Sequence, residues 1–279
     1  MKCRWCPLED RTPYRFMDIG LFERIVNEME RLGAGYFKIL LFRGGEPFLY
    51  PDIRSLLLVL ERTDIARRST IEFYSNGMIM REDQARAIVD SPLRIETIFS
   101  VDGIGDKESF EFMREGAEWD RLRKNVHHLS EMRKGTRYEG LKRISSSTII
   151  PHAAAVPFPV PPREEIMATF EREFRPIGVD TFYYRGIHRW SGEIILDGMP
   201  VKKENHGTCF FVRRGGISIL VDGKVSSCCA DMPGHLILGD LTKEALETIY
   251  YGEEASSTRE SMVKGDRISL NICCDCDHG

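Results

Sequence analysis

From residue 18 to about 186 the apolar positions switch regularly between two periods. Asp18 can cap a helix in which Phe22, Ile25, Val26, Met29 and Leu32 recur at helical spacing until Gly33. Tyr36–Phe42 is then a short, nearly continuous apolar run, as expected of a buried parallel strand. The alternation repeats along the chain. Pro51-Asp52 opens a helix over Ile53–Leu60, Ile71–Tyr74 reads as a strand ending at Ser75-Asn76-Gly77, and Glu82–Val89 reads as a helix. Ile95–Val101 is a strand ending in Asp102-Gly103, and one long helix is predicted through Leu122, Val126, Leu129 and Met132. Ile144–Ile150, Arg163–Phe174 and Val179–Tyr184 complete the series as strand, helix and strand. Between them, Pro151–Pro162 holds five of the thirteen prolines and must be a loop, either a rigid surface loop or a substrate lid.

Five strands separated by helices are the signature of parallel βα units, here an α/β barrel or open barrel. After residue 186 the texture changes. Ile217–Val225 reads as a hairpin around Asp222-Gly223, Leu241–Tyr250 as a helix, and Ser256–Val263 as another. The expected domains are therefore 1–186, the barrel, and 187–279, a small appended domain with little core of its own.

Composition narrows the function. With 42% hydrophobic and 10% aromatic residues, the 279-residue chain can bury a core. Thirty-nine basic against 43 acidic residues give −4, without the basic excess of a dedicated nucleic-acid or membrane-surface binder. Arg121-Leu122-Arg123-Lys124 then reads as a solvated helix face. No apolar run reaches the roughly 20 residues of a membrane helix, and the N-terminus lacks a signal-peptide core, so a cytoplasmic protein is expected.

The cysteines set the chemistry. All eight lie near the ends: Cys3 and Cys6, then Cys209, Cys228, Cys229, Cys273, Cys274 and Cys276. Clustering of this kind in an unsecreted, core-rich chain suits metal better than disulfides. Three polar clusters, Gly44-Gly45-Glu46-Pro47, Ser75-Asn76-Gly77 and Ser100-Val101-Asp102-Gly103, sit where three successive strands end, the edge at which parallel α/β folds bind ligands. Each alone could be turn chemistry. Together they point to one site, in which Glu46 can hold a charged amine.

With these motifs the chain resembles a radical S-adenosylmethionine (SAM) enzyme carrying a C-terminal SPASM or twitch extension. The resemblance implies a partial (β/α)6 barrel followed by a small iron–sulfur subdomain. The family's loop is C-x-x-x-C-x-x-C, in which three cysteines hold a 4Fe–4S cluster. Cys3 and Cys6 match the second and third. The first would lie two residues before Met1, and the first barrel strand is missing as well, so the chain reads as truncated relative to the family.

Gly44, Gly45, Glu46 and Pro47 match the motif that meets the SAM amino group. Asn76 and Ser100 fall where relatives approach the ribose, and Arg114 resembles the arginine that pairs with the SAM carboxylate. Cys209, thirteen residues, Gly223, four residues and Cys228 fit an auxiliary-cluster pattern, which Cys273-x-x-Cys276 would complete as an auxiliary 4Fe–4S site. Cys229 and Cys274 are neighbours that four thiolates leave unneeded.

The implied activity is reductive cleavage of SAM to a 5′-deoxyadenosyl radical that takes hydrogen from a peptide or small-molecule substrate, an oxidoreductase or maturase reaction. An electron donor such as flavodoxin or ferredoxin is implied as a partner. Arg185, His188 and Trp190, after the last predicted strand, are substrate-contact candidates; equally, they can pack the barrel against the small domain. Two other readings stay open: a non-catalytic zinc or iron–sulfur module, or an inactive fragment of a radical SAM enzyme.

Overall fold

The computed structural model describes residues 2–7, 15–33, 37–42, 44–188, 190, 194, 208–231, 234–270, 272–273 and 276; Tyr36, Arg189 and Cys274 lie outside them. In chain order the elements are β1 (Lys2–Cys3), α1 (Ile19–Arg31), β2 (Lys38–Leu40), α2 (Ile53–Glu61), α3 (Asp64–Arg68), β3 (Thr70–Ser75), α4 (Glu82–Asp90) and β4 (Arg94–Ser100). Then come α5 (Lys107–Met113), β5 (Arg114–Glu115), α6 (Trp119–Arg133), β6 (Lys142–Ile150), α7 (Arg163–Phe174) and β7 (Thr181–Gly186). The last are α8 (Phe210–Arg213), β8 (Ser218–Ile219), β9 (Lys224–Ser226), β10 (Ile237–Asp240), α9 (Leu246–Tyr251) and α10 (Glu253–Lys264).

The chain divides into two compact units. One comprises residues 1–4 and 34–187, the other residues 5–33 and 188–279. In the first, five parallel strands are ordered β2-β3-β4-β6-β7, each strand pairing with the next of the five in the chain, as in the winding of a barrel. One sheet face is apolar: Phe99 and Ile144 pack with Leu122, Val126, Phe110 and Phe170 from α5, α6 and α7. The opposite face carries Lys38, Glu72, Glu96, Ser145 and Tyr183, following the period-two alternation of a strand. Such a division places a polar floor beneath the ends of the strands.

Local chemistry explains the element starts. The Asp18 carboxylate accepts from the backbone N–H groups of Gly20 and Leu21, and that of Asp52 from Ser55, each capping the helix that follows. The long helix predicted through Leu122, Val126, Leu129 and Met132 is α6, and a separate helix, α5, precedes it. Between them Gly116 turns at φ 80°, and Arg114-Glu115 leave the helix to pair antiparallel with Lys2-Cys3. The additional short helix α3 is capped by the Thr63 hydroxyl.

In the second unit, α1 packs through Ile25 on Val225, Leu241, Leu246 and Ile249. Its sheet runs β10-β9-β8, all antiparallel. The expected hairpin is thus present, with a third strand, β10, beside it. The helix expected over Leu241–Tyr250 is shorter and begins at Leu246. Asp240 holds residues 242–244 in a turn, its side chain accepting from the Thr242 N–H and its carbonyl from those of Lys243 and Glu244. No described helix is long and apolar enough to cross a membrane.

Candidate functional site

Gly44 and Gly45 take φ of 62° and 142°, a left-handed turn after β2 that L side chains resist. A Cβ on Gly45 would meet nothing within 4 Å, so the glycine serves the backbone and leaves open space beside Glu46. The Glu46 carboxylate is the hub of the turn. Its Oε1 accepts from the Ser75 hydroxyl at 2.9 Å and the Phe48 N–H at 3.2 Å, and its Oε2 from the Asn76 N–H at 2.7 Å. An ionised carboxylate has roughly four acceptor sites, so about one remains for a ligand donor. Burial raises its pKa above the ordinary glutamate value; the hydrogen bonds from Asn76, Ser75 and Phe48 and the Arg114 charge work against that rise.

The end of β3 is locked onto this glutamate. The Asn76 Oδ1 accepts from the Met78 N–H at 2.8 Å and the Ser75 Oγ from the Gly77 N–H at 2.9 Å. Asn125 Nδ2 donates to the Gly77 carbonyl at 2.6 Å. The Asn76 oxygen thus braces the turn. Ser100 ends β4 half-buried, and its hydroxyl has no hydrogen-bond partner among the described residues.

Arg114 is only 8% exposed and donates from Nε to Asp102 Oδ2 at 2.7 Å; Asp102 Oδ1 accepts from the Ile149 N–H at 3.0 Å. Burial works against its charge, but Asp102, Cys3 and Glu46 together outweigh burial, and its pKa is raised. Cys3 lies opposite Arg114 in the β1–β5 ladder. The Arg4 N–H donates to the Met113 carbonyl at 3.1 Å, and its guanidinium sits 4.2 Å from the Phe112 ring centroid. Glu46, Arg114 and Cys3 thus share one electrostatic neighbourhood. Cys6, in the turn after β1, is half-buried.

Beneath these residues lies the polar floor, which the sequence reading missed. Lys38 Nζ donates to Glu72 at 2.6 Å, while Glu96 Oε1 accepts from the Ser145 hydroxyl at 2.5 Å and the Tyr183 hydroxyl at 2.9 Å. The available signal was a glutamate in the middle of each of two neighbouring apolar strands, Glu72 and Glu96, which stand in register. Above the floor, exposed Arg185 donates to the Ser147 hydroxyl at 3.3 Å, and its charge works against the rise that burial gives the Tyr74 pKa.

His188 and Trp190 are elsewhere engaged. His188 is buried with its ring 4.5 Å from that of Trp190, and its Nδ1 accepts from the Trp190 N–H at 3.3 Å. The Trp190 indole donates to the Trp5 carbonyl at 2.8 Å, from a backbone at φ 50°. These contacts all lie within the second unit.

In that unit Cys209, Cys228 and Cys273 line one apolar cluster with Val212, Met262 and Ile272. The Cys228 thiol is pushed up to about 12 by burial, with the neighbouring Cys229, Cys273 and Cys276 adding to the rise. Four expected ligands, all soft sulfur donors, are gathered in one region, the donor set an iron–sulfur cluster takes. No disulfide joins the described cysteines. No three described His, Cys, Asp or Glu side chains are already drawn close enough to hold a metal ion.

The profile of the Radical SAM superfamily matches residues 1–146, and that of an iron–sulfur cluster-binding domain, SPASM, matches residues 209–277. No curated protein matches the chain. Among solved structures, BtrN in complex with AdoMet and 2-DOIA is similar at TM-score 0.58 and 17% identity, over 99% of this chain and 87% of that one. The anSMEcpe protein with bound AdoMet and the Kp18Cys peptide is similar at TM-score 0.59 and 14% identity, over 99% and 84%.

Proposed function

Because the chain belongs to the radical SAM superfamily and carries a SPASM domain, we propose that it is an oxidoreductase or maturase that binds SAM at the carboxyl ends of β2, β3 and β4. The observation that carries this reading is the convergence of Glu46 and Arg114, a carboxylate and a guanidinium that feel each other's charge, at the end of the sheet. An amino acid's ammonium and carboxylate are the ligand such a pair suits. Glu46 has an acceptor site left for the ammonium. Arg114, with Nε on Asp102, keeps two terminal nitrogens for a carboxylate. The Asn76 amide and the Ser100 hydroxyl supply polar contacts for a ribose.

Together, a cluster at Cys3 and Cys6 and SAM would supply one-electron chemistry that opens a substrate C–H bond by hydrogen-atom abstraction. The substrate, a peptide or small molecule, would lie above the polar floor, where Arg185 offers charge to an anionic group. The peptide bound by anSMEcpe and the 2-DOIA bound by BtrN keep both substrate classes open. An auxiliary cluster at Cys209, Cys228, Cys273 and Cys276 would assist by taking up an electron or contacting the substrate. The electrons would come from a flavodoxin or ferredoxin.

Anaerobic reconstitution with iron and sulfide, followed by dithionite and SAM, tests the reading. SAM binding, measured by calorimetry on the reconstituted protein, should weaken in Glu46→Gln and in Arg114→Ala. SAM affinity unchanged in both variants would refute the assigned site.

A further inference from the structure

Arg267 is the anomaly of the second unit. It lies just beyond α10, which ends in two hydrogen bonds: the Gly265 N–H to the Met262 carbonyl and the Asp266 N–H to the Ser261 carbonyl. Its side chain is 2% exposed and ranks with the largest fully buried ones. Arginine cannot shed its proton inside a protein, so a full positive charge is buried here. Yet no carboxylate forms an ion pair with it among the described residues. Among the described residues its one hydrogen bond runs from Nη2 to the Cys276 carbonyl at 3.4 Å, and its buried Nε has no partner there. An unpaired buried charge of this kind is among the costliest features a fold can carry.

The backbone shows what the guanidinium faces. The Arg267 carbonyl accepts from the Leu270 N–H at 3.2 Å, the Leu270 carbonyl from Cys273 at 2.8 Å, and the Cys273 carbonyl from Cys276 at 3.3 Å. Three successive turns therefore carry the chain from Arg267 to both cysteines of Cys273-x-x-Cys276 and fold it back on the arginine. Both cysteines are buried. In the same unit Ser227, which precedes Cys228, also buries a hydroxyl with no partner among the described residues. Among the described residues, the groups gathered beside this cation are therefore cysteines, whose thiolates are anionic. A 4Fe–4S centre held by four thiolates has that character, since its net charge is negative in both common oxidation states.

We propose that Arg267 is a positioning residue for the C-terminal cluster: its guanidinium lies against the Cys276 end of the thiolate set, compensates negative charge and raises the cluster's reduction potential. This rests on the reading that Cys209, Cys228, Cys273 and Cys276 hold a cluster. The reduced cluster carries one more negative charge than the oxidised one. A fixed cation therefore stabilises the reduced form more, and hydrogen bonds to sulfur act in the same direction. The arginine itself neither gains nor loses an electron or a proton.

The test uses the full chain with Cys3→Ala and Cys6→Ala, so that only the C-terminal cysteines can hold a cluster. Iron and acid-labile sulfide are counted after anaerobic reconstitution, and the midpoint potential is read by dithionite titration followed by electron paramagnetic resonance. If this parent binds no iron and sulfide, the cluster reading itself fails before Arg267 is touched. If it does, Arg267→Gln should load the same iron and sulfide but shift the reduction equilibrium at least tenfold toward the oxidised form, 59 mV for one electron. Arg267→Lys, which keeps the charge, should shift it less. An unchanged potential and spectrum in Arg267→Gln, or equal shifts in the two variants, would overturn the proposal. Should Arg267→Gln fail to assemble a cluster, Arg267→Lys decides: assembly supports the charge role, and failure of both assigns Arg267 to packing and overturns it.

Discussion

Arg114 Nε donates to Asp102 Oδ2 at 2.7 Å, and this single bond decides which edge of the guanidinium is left for a ligand. Asp102 is itself anchored by the Ile149 N–H, so the pair is fixed from the β6 side. Its removal should be felt twice. Asp102→Ala leaves a buried arginine without its counterion and should lower unfolding free energy by about 3–5 kcal/mol in urea. Asp102→Asn, which keeps the shape, should weaken SAM binding by about tenfold, or ~1.4 kcal/mol, by calorimetry. Wild-type affinity in Asp102→Asn would show that Arg114 needs no orientation.

Glu46 predicts a pH dependence. Burial raises its pKa in the folded chain, so the fold holds this proton more tightly than the unfolded chain does. The glutamate's contribution to stability therefore falls as pH climbs from the ordinary value through the raised one. Ligand binding runs the other way, because an ammonium needs the carboxylate. SAM affinity should rise with pH through the raised value and then level off, and Glu46→Gln should bind weakly with that step absent. A wild-type profile with no step would contradict the assignment.

Two glycines near the site should respond differently to alanine. At Gly77, φ 74°, a Cβ would come within 2.3 Å of Leu122 Cδ1 and 3.1 Å of Phe99 Cδ1. Gly77→Ala should cost about 1–3 kcal/mol from strain and overpacking together. Gly45 has open space for a methyl group and only its φ of 142° to lose. Gly45→Ala should unfold nearer the wild-type midpoint, while still disturbing the turn that presents Glu46. Equal thermal shifts would mean that the Leu122 contact yields freely.

Cys228 makes cluster uptake a proton-releasing event. Its thiol, pushed up to about 12, is protonated at neutral pH in the metal-free fold. Its contribution to metal-free stability falls as pH rises from the ordinary thiol value toward 12. A cation bound by the C-terminal cysteines must expel that proton. Titration with Co²⁺ in weak buffer should release at least one more proton in wild type than in Cys228→Ser, with weaker thiolate-to-cobalt absorption in the variant. Proton release unchanged by the substitution would remove Cys228 from the ligand set.

Elements that announce themselves through local chemistry were legible in the sequence. Asp18 and Asp52 cap helices, and Gly33 lies just past the end of α1. The apolar runs at Ile71 and Ile95 are neighbouring parallel strands. Elements decided by distant partners were not. Residues 107–133 have one helical period, and nothing local says that Arg114-Glu115 will leave it to pair with Lys2-Cys3. In the site, Glu46 stood out as a charge after a strand end, and Arg114 through the family resemblance alone. That Asp102 orients Arg114, and that Tyr183 caps Glu96, depends on side chains 12 and 87 residues apart, which no spacing rule brings together. Arg267 carried no signal at all, because its burial follows from the turns after α10.

The short ladder of Lys2-Cys3 on Arg114-Glu115 also bears on how the N-terminal metal site assembles. Arg4 and Phe112, bonded at its end, are 108 residues apart. In a flexible chain, drawing such ends together would cost about 4 kcal/mol from the logarithmic dependence on loop length alone. The ladder and its neighbouring bonds within the first unit meet that cost, so the affinity of Cys3 for metal carries no charge for closing this loop.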